Sequence, residues 1–148
     1  MRLVIGAPGN GTVLKDAIKE RLAVDRRVSS VVDMSAPGIT YPEVSFRAGR
    51  AIAEGEADRG ILICGTGVGT AIAAGKVPGV RAATAHDLIT VRGSVENYDA
   101  QLLCMGQNVI AAPAAWALID IWLDLRHDPA SDYGPKVGEI EAYEARRA

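Results

Sequence analysis

The densest group of reactive residues lies in Gly60-Ile61-Leu62-Ile63-Cys64-Gly65-Thr66-Gly67-Val68-Gly69-Thr70, where an apolar run delivers a thiol into alternating glycines. The pattern reads as a buried strand, a loop and the opening of a helix. Glycines let a backbone approach a ligand and turn its N–H groups inward, and a helix N-terminus adds a positive partial charge that favours an anion. The same field favours the thiolate of Cys64. A thiolate beside such donors can take a proton from a carbon next to a carbonyl while the donors hold the enediolate oxygen. The other use of a cysteine in an apolar run is packing as a small hydrophobe, which is the reading given to Cys104.

Other positions invite chemistry with weaker patterns. His86-Asp87 follows the run Arg81-Ala85, read as a strand, so the imidazole falls on the same edge as Cys64, with an acid beside it to orient the ring. It is a candidate acid/base and proton shuttle between two substrate oxygens, or else a histidine in the first turn of a surface helix. Gly6-Ala7-Pro8-Gly9-Asn10-Gly11 joins a strand to a helix and Asp33 ends the next strand, which raises a dinucleotide site. The order is GxxGxG rather than GxGxxG and Pro8 removes an N–H donor, so a tight turn is favoured. His127 reads as part of a solvated turn, and Arg47 and Arg50 as solvent-facing helix residues.

The elements that position these groups alternate between short β-branched runs and helical periods. Strands are expected at Arg2-Ile5, Val28-Asp33, Gly60-Cys64, Arg81-Ala85 and Gln101-Met105. Helices are expected at Thr12-Ala23 with Thr12 as cap, near Glu43-Glu54, from Gly69 toward Lys76, and at Pro113-Leu125. The implied fold is α/β: a doubly wound, Rossmann-like, five-stranded parallel sheet sandwiched by helices. Ligands then bind beyond the carboxyl ends of the strands. The last stretch, 135–148, reads as a thin amphipathic arm expected to lie on another subunit, and apolar surface on the Trp116/Trp122 helix points the same way.

The 148 residues, 49% hydrophobic and 23% charged, fit a single domain over 1–148. A net charge of -2 supplies no field to gather nucleic acid or coat an anionic membrane. The apolar runs fall short of the roughly 20 residues of a spanning helix, no leader segment is visible, and two cysteines without a CxxC pair suit a reducing cytoplasm.

Beyond its residue chemistry, the chain resembles the type B ribose-5-phosphate isomerases and the galactose-6-phosphate isomerase subunits. The resemblance runs through Ile61 to Gly69, Ile72-Ala73-Ala74-Gly75-Lys76, Gly79-Val80-Arg81-Ala82, Tyr41-Pro42 and Glu144-Ala145-Arg146-Arg147. It implies an aldose-ketose isomerase of a small phosphorylated sugar without metal or cofactor, with Cys64 as carbon base and Thr66 near the substrate. It also implies sites between two subunits of a homodimer or dimer of dimers. Tyr41, Gly65, Gly67, Val68 and Gly69 become substrate-binding candidates, together with Asn97, Asp99 and Lys136 at positions aligned with residues of the partner's site or of the tail.

The departures from that family are local. Its Gly-Cys-Asp-His turn is here Gly6-Ala7-Pro8-Gly9, its His-Asn pair is Asn97-Tyr98, and its tail arginines align with Asp132 and Lys136. An altered substrate follows, such as a tetrulose or another pentose phosphate. A four-carbon sugar phosphorylated at its terminal hydroxyl cannot close a furanose ring and needs no ring-opening histidine. The alternative is a noncatalytic or obligately paired subunit, which the retained Cys64 weighs against.

Overall fold

A computed structural model describes residues 1–147. Ala148, the end of the expected arm, lies outside the described residues. The elements are β1 (Arg2–Gly6), α1 (Thr12–Ala23), β2 (Ser30–Asp33), α2 (Tyr41–Ala53), β3 (Arg59–Cys64), α3 (Val68–Ala74), β4 (Ala82–Thr84), α4 (Leu88–Glu96), β5 (Leu102–Gly106), α5 (Ala112–Trp122) and α6 (Gly134–Ala145). The five strands form one parallel sheet in the order β2-β1-β3-β5-β4. The doubly wound α/β architecture expected from the sequence is therefore the one observed.

β3 is central and all six of its residues are buried. Its side chains alternate between two cores, as a strand period of two requires. Ile61 and Ile63 meet Leu14, Ile18, Val91, Ile119 and Trp122 on the face covered by α1, α4 and α5. Leu62 meets Val4, Ala48, Ala74, Leu102 and Cys104 on the face covered by α2 and α3. Each fully buried Leu or Ile contributes about 1.5–3 kcal/mol, so the strand that carries Cys64 is the most firmly anchored in the sheet.

Several local expectations change. Thr12 is the first residue of α1 and not its cap: its hydroxyl donates back to the Pro8 carbonyl at 3.3 Å, and the Leu14 N–H is satisfied by Gln107 Oε1 at 2.9 Å. β2 begins at Ser30 rather than Val28, and β4 keeps only the middle of its expected run. α4 is the surface helix of the second reading of His86, and it opens just after that residue; its sequence signal is weak because Leu88 and Ile89 are exposed. Asp87 fixes its start by accepting the Thr90 N–H at 2.8 Å.

The two features expected to meet a partner also make contacts within their own chain. Trp122 is fully buried in its own core, and Trp116, half-buried, packs against that core with Arg21 over its ring. The arm, α6, rests on its own chain. Val137 is buried, Glu144 accepts the Gly79 N–H at 2.8 Å, and Glu141 pairs with Arg81 at 3.2 Å. Ile140 and Tyr143 remain exposed.

Candidate active site

β3 ends on Cys64, and the chain turns through Gly65 and Thr66 to Gly67, whose φ of +79° makes it the left-handed cap of α3. Gly106, paired with Cys64 across the ladder, is pressed against this turn: a Cβ there would lie 2.5 Å from Thr66 Cα. Glycine at 106 is thus required by the close approach of two backbones. On the other flank the Tyr41 ring packs against Gly69, where a Cβ would lie 3.0 Å from Cε2. The α2 start that holds Tyr41 is fixed by Thr40 as cap and Pro42 in the first turn.

Cys64 is 6% exposed. Its Sγ accepts the Gly67 N–H at 3.1 Å and lies 3.6 Å from Thr70 Oγ1. Burial acts to raise the thiol, but the Thr70 hydroxyl and the N–H groups of Thr70, Thr66 and Gly67 outweigh it and bring the net value below that of an ordinary cysteine. α3 has only seven residues, so these direct donors, rather than a long helix dipole, favour the thiolate. The anion cradle is narrower than the glycine count suggests, because the Gly67 N–H serves Sγ and the Val68 N–H serves Thr66 Oγ1 at 3.2 Å. Thr66 and Val68 are exposed at the mouth.

Two residues that the sequence reading left without a role complete the rim. A Cβ on Gly65 would lie 3.1 Å from Asn10 Nδ2 and 3.3 Å from Asn108 Nδ2. One amide comes from the turn after β1 and the other from the turn after β5. Both follow strand ends, which is the signal that could have found them. Thr70 and Thr84, whose hydroxyls both reach the Gly67 carbonyl, were missed because threonine inside an apolar run reads as packing.

His86 is half-buried near the same edge. Its Nε2 accepts the Gly106 N–H at 2.8 Å, which leaves Nδ1 as the protonated nitrogen of the neutral ring. Burial lowers its pKa, and Asp87 opposes this only in part. Asp87 does not orient the imidazole: its carboxylate caps α4 and accepts the Thr90 N–H and hydroxyl.

Asn97, Asp99 and Lys136 are not brought to Cys64 within one chain. Asn97 caps the C-terminal end of α4, and Asp99, at φ +48°, holds Arg81 at the start of β4, the opposite edge of the sheet. Lys136 lies there too, 4.9 Å over the Tyr133 ring, which meets Tyr98 edge-on. His127 is hydrogen-bonded to the Glu96 carbonyl at 2.9 Å rather than solvated in a turn. Arg47 and Arg50 pair with Glu43 on the exposed side of α2. Asp33 takes Lys15 at 2.8 Å, Lys19 at 3.0 Å and the Ser35 N–H, so the acid of the dinucleotide reading is already engaged. Among the described residues, no cluster of three His, Cys, Asp or Glu side chains could hold a metal ion, and no helix is long and apolar enough to cross a membrane.

Fold and site together define a doubly wound α/β domain that presents a hydrogen-bonded cysteine at the tip of its central strand. Residues 3–140 match the ribose/galactose isomerase family, and the chain belongs to it. A D-erythrulose-4-phosphate isomerase of Mycolicibacterium smegmatis is 47% identical over 148 residues, covering 97% of each chain. The ribose-5-phosphate isomerase B of Escherichia coli is 34% identical, covering 99% of this chain and 98% of its own. The ribose-5-phosphate isomerase B structure of Clostridium thermocellum superposes with a TM-score of 0.93 at 35% identity, covering both chains completely.

Proposed function

We propose that this enzyme, an aldose-ketose isomerase of small phosphorylated sugars, acts on a tetrulose 4-phosphate, with Cys64 as its carbon base. The observation that carries the reading is the environment of Cys64, a thiol at a strand tip held by an N–H and a hydroxyl, with two neutral amides beside the next residue, Gly65. The 47% identity to an enzyme named for erythrulose 4-phosphate supports the four-carbon substrate. So does the turn Gly6-Ala7-Pro8-Gly9, which offers no acid or histidine for opening a ring. The paired, noncatalytic alternative has no support among these relatives.

In this mechanism the Cys64 thiolate takes a proton from the carbinol carbon beside the ketone, and the electron pair moves through the new C–C double bond onto the carbonyl oxygen. The resulting enediol(ate) is protonated by the Cys64 thiol at the former carbonyl carbon, giving the aldose. Thr66, Asn10 and Asn108 supply donors to the oxygens and terminal phosphate, with Tyr41 and Val68 closing the rim. On the oxygen side the proton of the carbinol hydroxyl passes to the former carbonyl oxygen, with His86 Nδ1–H as hydrogen-bond donor to these oxygens, since Nε2 is held by Gly106. The enzyme is a cytoplasmic homodimer or dimer of dimers, and Asn97, Asp99 and Lys136, far from their own Cys64, contribute to the site of a neighbouring subunit.

The test is a panel of four- to six-carbon sugar phosphates followed by NMR. Tetrulose 4-phosphate is expected to have the highest kcat/KM, with ribose 5-phosphate at least about 10² lower. A preference for ribose 5-phosphate overturns the four-carbon assignment.

A further inference from the structure

Thr70 takes part in no step of the chemistry above, yet its hydroxyl is the side-chain group hydrogen-bonded to Cys64. It is fully buried in the first turn of α3, with Oγ1 3.6 Å from Sγ and 3.3 Å from the Gly67 carbonyl oxygen. Threonine in a helix commonly returns its proton to a carbonyl one turn back, which accounts for the second contact. That carbonyl, however, already has a better donor: Thr84 Oγ1, from β4, reaches it at 2.8 Å. The Ala71 N–H also points to it at 3.4 Å, so the carbonyl stays satisfied without the Thr70 proton, which is free to go elsewhere.

A threonine hydroxyl has one proton and two acceptor positions, and it rotates. We propose that Thr70 is a positioning residue for Cys64, a rotor whose proton follows the charge on sulfur while Thr84 keeps the Gly67 carbonyl satisfied. With the thiol protonated, S–H points to Thr70 Oγ1 and the Thr70 proton points to Gly67. With the thiolate formed, the Thr70 proton turns to Sγ and joins the Gly67 N–H as its second donor. No proton passes between the two side chains, and neither state leaves a buried polar group unmatched, which would cost about 1–3 kcal/mol. The lowered thiol pKa agrees with this arrangement.

Among the described residues, the other groups facing Cys64 supply no competing charge. Cys104 of β5, also bordering Thr70, is fully buried and its thiol is pushed up to about 12. His86 reaches this edge through the Gly106 N–H as a neutral ring, and Tyr41 lies over Gly69 from the start of α2. None of them brings a carboxylate or an ammonium.

The catalytic consequence rests on Cys64 as carbon base, whereas the titration does not, so the experiment reads both. Alkylation of Cys64 by iodoacetamide is followed by peptide mass spectrometry across pH, beside the pH profile of kcat. Thr70→Val is expected to slow alkylation at pH 7 about tenfold and to move both profiles upward, with Thr70→Ser restoring them. Thr84→Val is expected to move them the same way, and the double variant no further than Thr70→Val alone, because the Gly67 carbonyl then has no hydroxyl donor in either state and keeps only the Ala71 N–H at 3.4 Å. Unmoved profiles in Thr70→Val, or equal effects of Val and Ser, overturn the rotor, and additive shifts in the double variant overturn the shared carbonyl. A shifted alkylation profile beside an unshifted kcat profile upholds the rotor and removes Cys64 from the base role.

Discussion

Cys64 and Cys104 lie on adjacent strands, both as free thiols and both buried, at 6% and 0% exposure. Burial is the largest influence on each and raises both. Only Cys104, in the body of β5, keeps that result, at about 12. Cys64 stands at the point where β3 ends, so the backbone donors that a ladder would have used are turned onto its sulfur instead. The difference comes from place along the strand: the interior gives a packing residue, and the carboxyl tip gives a nucleophile or base.

The sharpest way to break this comparison is differential labelling. At pH 7 Cys64 is expected to react with iodoacetamide at least about 10³ times faster than Cys104 in the folded protein, and comparable rates should appear only in denaturant. Similar native rates remove the distinction. Next in size is His86→Asn, which takes the acceptor from the Gly106 N–H on the partner strand of Cys64. Turnover should fall by about 10² or more, with less loss of substrate affinity. The wild-type ring should also give a pH signature. Its folded pKa lies below the ordinary 6.5, so the stability it contributes is complete above that value and declines as pH falls below it. Denaturant titrations between pH 7 and 5 check this, and His86→Asn should lose that slope.

Smaller effects sharpen the contrast by leaving Cys64 alone. Cys104→Ser should cost about 1–3 kcal/mol in urea unfolding while turnover stays within a few-fold of wild type, since it places a hydroxyl in an apolar core. Asp33→Asn should cost a similar amount. Burial would raise this carboxyl, but Lys15, Ser35 and Lys19 hold it far below the ordinary 3.8, so its contribution is complete above that pH and is lost on further acidification. The variant should lose that acid limb while the thiol titration stays in place.

The sheet was legible because β1, β3 and β5 are continuous apolar runs ending in glycine or cysteine, and a parallel strand buried on both faces leaves that pattern. The thiol and its glycine loop were legible for the same reason. α4 was legible only as one of two readings of His86, because its exposed Leu88 and Ile89 blur the helical period. The site's rim was half legible. Cys64, Thr66, Tyr41 and Gly69 form one motif or resemblance and His86 follows a strand end on the same edge, whereas Asn10, Asn108 and Thr84 converge only when β1, β4 and β5 are set beside β3. Which nitrogen of His86 is free, and that Asp87 serves a helix instead, depends on hydrogen bonds that no spacing encodes.

The most direct measurement is exchange of the substrate's carbon-bound proton in deuterated water, followed by NMR on tetrulose 4-phosphate with wild type, Cys64→Ser and Cys104→Ser. Wild type and Cys104→Ser should incorporate deuterium at the carbinol carbon beside the ketone, while Cys64→Ser should be slower by about 10² or more, because a hydroxyl supplies almost no anion near neutral pH. Undiminished exchange in Cys64→Ser, or equal loss in both variants, would contradict Cys64 as the carbon base.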